Sequence, residues 1–269
     1  MPIATLNGIR LNYDVTGTGP LVVLVMGTGS PGRVWRTYQV PALVKAGFRV
    51  ATVDNRGIAP SDECAGGFGI DDLVADTAAL IEHLGGGRAR VVGHSMGARV
   101  VQELALARPD LVDKAVMLGA AGRPHPLART LNLGEQALHD QGIQLPPQYA
   151  AAIKAMLNLS PHTLKDEAKA QEWLDIFEFT TGKTAPGVRA QIGMDRSRDR
   201  LPDYARITAP SLVVGFADDQ MTPTAFGREV AAAIPSARYV EIERCGHYGY
   251  LERPDEVNRV IIEFLTAAK

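Results

Sequence analysis

Gly93-His94-Ser95-Met96-Gly97 lies between the apolar pair Val91-Val92 and the segment Ala98-Arg99-Val100-Val101-Gln102-Glu103-Leu104. The pattern is a strand, a sharp turn and a helix, with serine at the turn. Two small flanking residues let the backbone bend tightly enough to hold that serine in a strained conformation. The bend exposes its hydroxyl and aims the amide of the next residue at the same spot. One pentapeptide thus offers a nucleophile and half of an oxyanion hole. Because G-x-S-x-G also arises by chance and a serine hydroxyl is a weak nucleophile at neutral pH, this reading requires a histidine base and a carboxylate downstream.

Both are present. Ala237-Arg238-Tyr239-Val240-Glu241-Ile242 has the pattern of a short strand, and the loop Arg244-Cys245-Gly246-His247-Tyr248-Gly249-Tyr250 follows it. Upstream, the buried-type strand Ser211-Leu212-Val213-Val214-Gly215-Phe216 ends in Ala217-Asp218-Asp219-Gln220-Met221-Thr222-Pro223, which carries two carboxylates. The order along the chain is Ser, Asp, His.

With these residues the chain resembles the α/β-hydrolase fold superfamily, in its esterase, cofactor-free haloperoxidase (perhydrolase) and C–C hydrolase-like branch. The resemblance spans nearly the whole length outside a middle insertion. It rests on the Gly93 to Gly97 elbow, on Asp54-Asn55-Arg56-Gly57-Ile58-Ala59-Pro60-Ser61 as a counterpart of the D-x-R-G-x-G-x-S turn, on the Asp219 loop, and on Gly246-His247 followed by Leu251-Glu252-Arg253-Pro254. It implies an α/β fold with a mostly parallel central sheet, helices on both faces and a helical cap after the sixth strand. It also implies a catalytic set of Ser95, His247 and Asp219, with the amides of Thr28 and Met96 as oxyanion hole. Asp218 lies three residues after Gly215 and Asp219 four before Pro223, so the family spacing admits either; Asp219 is favoured, with its neighbour as a supporting or solvated carboxylate. In Leu21-Val22-Val23-Leu24-Val25-Met26-Gly27-Thr28-Gly29, Met26 stands where the family usually has histidine. Since the oxyanion donor is a backbone amide, this departure bears on loop packing rather than on chemistry.

A rival reading uses the same glycines. Gly27-Thr28-Gly29-Ser30-Pro31-Gly32 matches G-x-G-x-x-G after a strand, and Asp54 ends the next strand, where a ribose-binding carboxylate would fall. Against it, Pro31 interrupts the motif, Ile9 to Val15 with Gly17-Thr18-Gly19-Pro20 has a hairpin pattern, and Ser95, Asp219 and His247 go unexplained.

The 269 residues fit one large α/β domain, and 46% hydrophobic residues suffice for a core on both sheet faces. A formal net charge of −2 gives no electrostatic case for nucleic acid or an anionic membrane. A small-molecule substrate is therefore expected, with no cofactor and no metal motif. Cys64 and Cys245 form no paired framework, which points to a reducing setting. Met1-Pro2-Ile3-Ala4-Thr5-Leu6-Asn7-Gly8 has neither a basic start nor an apolar stretch, and a cytoplasmic location is expected.

Strand-like runs alternate with helical ones: Leu21 to Met26, a helix over Val34 to Ala46, Phe48 to Val53, a helix over Asp71 to Leu84 stopped by Gly85-Gly86-Gly87, Ala89 to Gly93, and Ala115 to Leu118. The last helix begins near Pro254 and turns Val257, Val260, Ile261, Phe264 and Leu265 inward. Between Gly122 and about Ile207 the strands stop. The expected division is a core of residues 1–121 and 208–269 and a cap of residues 122–207, with Ser160-Pro161 starting a helix. Met156, Trp173 and Phe177 are the expected substrate-binding residues, drawn from a group that also includes Leu157 and Phe179. His125, His139 and His162 are expected at the surface, and His94 in a structural role.

The activity implied is attack by Ser95 on an ester or related acyl bond, with His247 as base and Asp219 as orienter. The alternative is a cofactor-free lyase that eliminates an acyl group such as acetate, or cleaves a C–C bond, with the same triad. A third reading is a hydrolase-like protein that binds a ligand without turnover.

Overall fold

The computed structural model describes residues 2–85, 87–180 and 185–268. Gly86 of the expected helix stop, Met1 and Lys269 at the ends of the expected core, and residues 181–184 of the expected cap lie outside them.

The strands are β1 (Ile3–Leu6), β2 (Ile9–Thr16), β3 (Leu21–Val25), β4 (Arg49–Val53), β5 (Ala89–His94), β6 (Val112–Leu118), β7 (Ser211–Phe216) and β8 (Ala237–Ile242). They form one sheet in the order β1-β2-β4-β3-β5-β6-β7-β8. β1 and β2 pair antiparallel, β2 joins β4 antiparallel, and every pairing from β4 to β8 is parallel. This is the α/β-hydrolase arrangement expected from the sequence. The strand order reverses at β3, and in open parallel sheets ligands bind beyond the carboxyl ends of the strands near such a reversal.

Successive side chains of a strand point to opposite faces, so β3 divides its residues between two cores. Val23 and Val25 join Val91, Ala115, Met117 and Val213 beneath α2 (Ile70–His83), α3 (Met96–Ala107) and α10 (Thr224–Ala233). Val22 and Leu24 join Val92, Val116, Leu212 and Val214 beneath α1 (Gln39–Lys45) and α12 (Pro254–Thr266). The inward stripe of α12 is Val257, Val260, Ile261, Phe264 and Leu265, as the spacing requires. Pro254 opens that helix, where its missing N–H costs nothing, and Asp255 and Glu256 meet the positive end of the helix dipole. Truncating Leu265 or Phe264 to alanine costs about 2–5 kcal/mol.

One expected helix is split. Val34 to Ala46 forms a 3-10 turn over Gly32–Arg36 and then α1. Pro41 has no N–H to bond back four residues, so it fits only in the first turn of a helix, and α1 starts two residues before it. No α-helix follows Gly27 to Gly32, and Asp54 is consumed inside the protein: its carboxylate accepts the Gly32 amide at 2.7 Å and Asn12 Nδ2 at 2.6 Å. Those bonds serve the turn rather than a nucleotide.

Between β6 and β7 the described residues form only helices: α4 (Pro126–Asp140), α5 (Pro147–Asn158), α6 (Pro161–Leu164), α7 (Glu167–Thr180), α8 (Pro186–Ile192) and α9 (Leu201–Tyr204). Ser160 caps α6, its hydroxyl accepting the His162 amide at 3.0 Å. Ala151, Ala155, Leu159 and Phe177 make a small separate core where α5 meets α7. A short α11 (Gly249–Glu252) precedes α12.

Candidate active site

Ser95 joins β5 to α3 with φ 55° and ψ −115°, left-handed backbone that costs a non-glycine residue of order 1–3 kcal/mol. The surroundings enforce it. The Ser95 amide donates to Leu118 O at 2.9 Å on the neighbouring strand, and Arg99 N donates to Ser95 O at 3.2 Å. The flanking glycines are required by contact: a Cβ at Gly93 would run into the Gly97 carbonyl, and one at Gly97 into the carbonyl of Val25. His94, Met96 and Gly97 are buried, while Ser95 is only half-buried and its hydroxyl has no hydrogen-bond partner among the described residues.

Beyond β7 and β8 the second and third expected residues meet. His247 Nδ1 lies 2.8 Å from Asp219 Oδ2, with both side chains almost fully enclosed. Asp219 Oδ1 also accepts the amides of Met221 and Thr222 at 2.8 Å each, and Oδ2 accepts the Thr222 hydroxyl at 2.7 Å. An acceptor held this firmly fixes the proton of His247 on Nδ1 and leaves Nε2 as the basic nitrogen. Asp218 turns elsewhere, accepting the Ser160 hydroxyl at 2.5 Å. Gly119, which follows the strand that holds the Ser95 amide, sits where a Cβ would come within 3.3 Å of His247 Cε1 and 3.4 Å of Asp219 Oδ2. Ser95 and the His247–Asp219 pair therefore share one end of the sheet.

His94 supports this pair from below. Its Nε2 donates to the His247 carbonyl at 2.8 Å, and its ring lies 4.6 Å from those of His247 and Tyr250. Burial, reinforced by the nearby His247, holds its pKa well below the ordinary histidine value, so the ring is neutral. It holds the backbone of His247 in place.

Met96 opens α3, so its amide has no carbonyl four residues back within the helix and faces outward as a donor. The Gly27-Thr28 loop passes directly over the serine: a Cβ at Gly27 would lie 3.2 Å from Ser95 Cβ. Met26 itself is fully buried against the α1–α12 face, and its carbonyl is held by Asn55 Nδ2 at 3.0 Å. Its side chain fills core.

Gln191, which carries no sequence signal, holds this loop from above. It is fully buried on α8; its Oε1 accepts the Gly29 amide at 2.8 Å and its Nε2 donates to the Arg56 carbonyl at 2.8 Å. The backbone of Gly187 packs on that of Gly57 beside it, leaving no room for a Cβ at either. Glu252 makes a second tie, accepting Gly246 N at 2.7 Å, Ser160 N at 3.0 Å and the Thr163 hydroxyl at 2.5 Å, while burial raises its pKa.

Of the residues expected to meet substrate, Trp173 and Phe177 have their rings 5.3 Å apart, tilted to each other, and 6.3 and 6.1 Å from the ring of Tyr248, the neighbour of His247. Burial pushes the Tyr248 phenol up to about 12. Met156 lies instead in an open surface groove with Leu159, Pro161, Leu164 and Gln220, itself 56% exposed. Phe179 is 91% exposed. The helix period puts Met156 and Phe179 off the stripe that Ala151, Ala155 and Phe177 define. His125, expected at the surface, is buried: it caps α4, stacks on Phe226 at 4.5 Å and bonds through Nε2 to Met221 O at 3.0 Å, bracing the Asp219 loop.

Residues 22–260 match the alpha/beta hydrolase family. The chain belongs to that family. BpoC of Mycobacterium tuberculosis, which carries a provisional non-heme bromoperoxidase name, is 45% identical over 97% of this hydrolase and 99% of its own length. Its crystal structure superposes with a TM-score of 0.92 over 96% of each chain. A 2-hydroxy-6-oxononadienedioate/2-hydroxy-6-oxononatrienedioate hydrolase of Burkholderia vietnamiensis is 30% identical, covering 96% of this chain and 91% of the relative. The enol-lactonase of Burkholderia xenovorans LB400 has a TM-score of 0.87 at 26% identity, over 99% of this chain and 100% of that one. The protein is thus an enzyme of the alpha/beta hydrolase family, and among its described residues no helix is long and apolar enough to cross a membrane.

Proposed function

We propose that this hydrolase cleaves an ester or related acyl bond of a small organic molecule through Ser95, His247 and Asp219. The observation that carries the reading is the His247–Asp219 bond at 2.8 Å beside a serine held at positive φ. His247 Nε2 takes the serine proton as Oγ attacks the carbonyl carbon, then delivers it to the leaving group; water repeats the sequence on the acyl-enzyme. Asp219 keeps the imidazole in the required tautomer and stabilises its charged form. The amides of Thr28 and Met96 hold the oxyanion, each donor contributing about 3 kcal/mol to the transition state.

The helical insertion, residues 122–207, serves as the cap. Trp173, Phe177 and Tyr248 supply the apolar wall next to His247, and Met156 lines an outer groove rather than that wall. The substrates for which the relatives are named, an oxo-dienedioate and an enol-lactone, are small carbonyl compounds, consistent with a small-molecule partner. Free thiols at Cys64 and Cys245 suit work in the cytoplasm.

The test is intact-mass measurement after exposure to an organophosphonate serine trap, beside Ser95→Ala, followed by turnover of a short-chain p-nitrophenyl ester. A Ser95-dependent adduct with ester turnover is the expected result. An adduct without turnover favours elimination or C–C cleavage by the same residues, and an adduct that survives Ser95→Ala overturns the assignment.

A further inference from the structure

The helical insertion holds the backbone on both sides of His247. Tyr248, which follows it, donates its amide to Asn158 O at 3.0 Å. Gly246, which precedes it, lies so close to the turn after α5 that a Cβ there would come within 2.7 Å of Asn158 O and 2.9 Å of Ser160 N. Glu252, the last residue of α11, closes this arrangement. Its Oε2 accepts the Gly246 amide at 2.7 Å, while Oε1 accepts the Ser160 amide at 3.0 Å and the Thr163 hydroxyl at 2.5 Å. The same turn also reaches the loop of the proposed acid, because the Ser160 hydroxyl donates to Asp218 at 2.5 Å and the Asp218 amide donates to Cys245 O at 3.0 Å.

We infer that Glu252 is a positioning residue for His247: it pins the residue before the base to the Ser160–Thr163 turn, so that the seating of the insertion sets where the imidazole stands. This deepens the serine-hydrolase reading and rests on it. The donor set demands a carboxylate. Gly246 N and Ser160 N can only donate, and they approach different oxygens, so the group between them has to accept on both sides, as an ionised carboxylate does. No lysine, arginine or histidine of the described residues lies within 4.0 Å of that carboxylate, and its charge is held by these three donors alone.

The consequence for the chemistry is one of aim. His247 has to keep Nδ1 on Asp219 while Nε2 takes a proton from Ser95 and returns it to the leaving group, and a misplacement of about 1 Å can cost on the order of a hundredfold in rate. The His247 carbonyl is fixed from below by His94, and the peptides before and after it are fixed from above by Glu252 and Asn158. Glutamine at position 252 has one acceptor oxygen in place of two. Either way round, its amide sets N–H groups against a donor, Gly246 N on one side or Ser160 N on the other.

The experiment compares the wild type with E252Q in three ways: kcat and KM for p-nitrophenyl butyrate, the rate at which the phosphonate trap modifies Ser95, and the low-field proton resonance of His247 Nδ1–H, assigned by its absence from H247Q. E252Q is expected to lower kcat and the trapping rate at least tenfold, to leave KM within twofold, and to shift or broaden the His247 resonance. V260A, a truncation in the core beneath α12, shows what lost stability alone does and should keep kcat within twofold. Should E252Q not fold, T163V, which takes away one of the two donors on Oε1, carries the same comparison with a two- to fivefold fall in kcat at constant KM. A folded E252Q with kcat within twofold of wild type, a fall in kcat matched by V260A, a rise in KM alone, or an unchanged His247 resonance overturns the positioning role; for T163V, an unchanged kcat does so. Ester turnover that survives Ser95→Ala instead overturns the underlying hydrolase reading, and the His247 resonance then still decides whether Glu252 places the imidazole.

Discussion

The carboxyl end of the sheet and the helical insertion above it are built to different standards. Along β5 and α3 nearly every residue is buried, and the turns around Ser95, Asp219 and His247 are fixed by bonds of 2.7–3.2 Å. In the insertion, α4 buries no residue, and Leu127, Leu133, Ile143, Tyr149, Met156, Ile176 and Phe179 are all exposed apolar side chains, against only Ile3 and Tyr38 among large apolar residues of the described core. The contrast separates a part whose atoms are held to a few tenths of an ångström from the proposed cap, which is packed more loosely. Gln191 and Glu252 are the places where the loose part grips the tight one.

The largest effect should come from the tight part. Asp219→Asn should lower kcat about 10³–10⁴-fold by leaving the imidazole in the wrong tautomer, while Asp218→Asn, which loses only the Ser160 bond, should stay within about tenfold. Steady-state kinetics on one ester decides it, and the reverse ranking would break the comparison at its centre.

Next is the junction. Gln191→Leu strands the Arg56 carbonyl in a buried place and takes away the partner of the Gly29 amide. It should cost about 2–4 kcal/mol of stability and lower kcat about 10- to 100-fold, with KM changed less, because the oxyanion loop loses its brace. Denaturant unfolding and a kcat–KM split check the two halves. An unchanged kcat would mean that the loop holds its shape without the insertion.

A smaller effect concerns His94. Its folded pKa is depressed, so the unfolded chain binds the proton first and stability falls as pH drops through about 6.5 towards the folded value. Between those limits the slope from this one group approaches about 1.4 kcal/mol per pH unit. Urea unfolding between pH 7.5 and 5 should show that slope, and His94→Asn should flatten it. The smallest effect is expected at Phe179, whose exposed ring touches little: Phe179→Ser should change stability by less than about 0.5 kcal/mol and leave kcat/KM within twofold. A large loss would make the outer face of α7 part of the substrate path.

Much of the tight part is legible in sequence because its determinants are local. Ser95 follows a strand and opens a helix, two glycines flank it, and the order Ser, Asp, His matches a known constellation. The choice between Asp218 and Asp219 is a matter of side-chain direction at the end of β7, which no spacing fixes. His125 was expected at the surface because a lone histidine before a proline gives no sign that Phe226, about a hundred residues later, will cover it. Trp173 and Phe177 showed a helical stripe, but only the packing of α7 on Tyr248 brings them beside His247 and leaves Met156 in a groove.

By itself, then, the sequence determined the alternation of strands and helices, the turn that strains Ser95 and the residue types of the proposed triad. These follow from side-chain periodicity and from the steric needs of a few backbone positions, and both act within a few residues. The tertiary structure alone decided which carboxylate meets His247, that Gln191 braces the Gly27-Thr28-Gly29 loop, and that Phe226 covers His125. Those contacts join segments separated by tens to more than a hundred residues. They are set by how α8 and the neighbouring helices settle on the sheet, which depends on the packing of the whole chain.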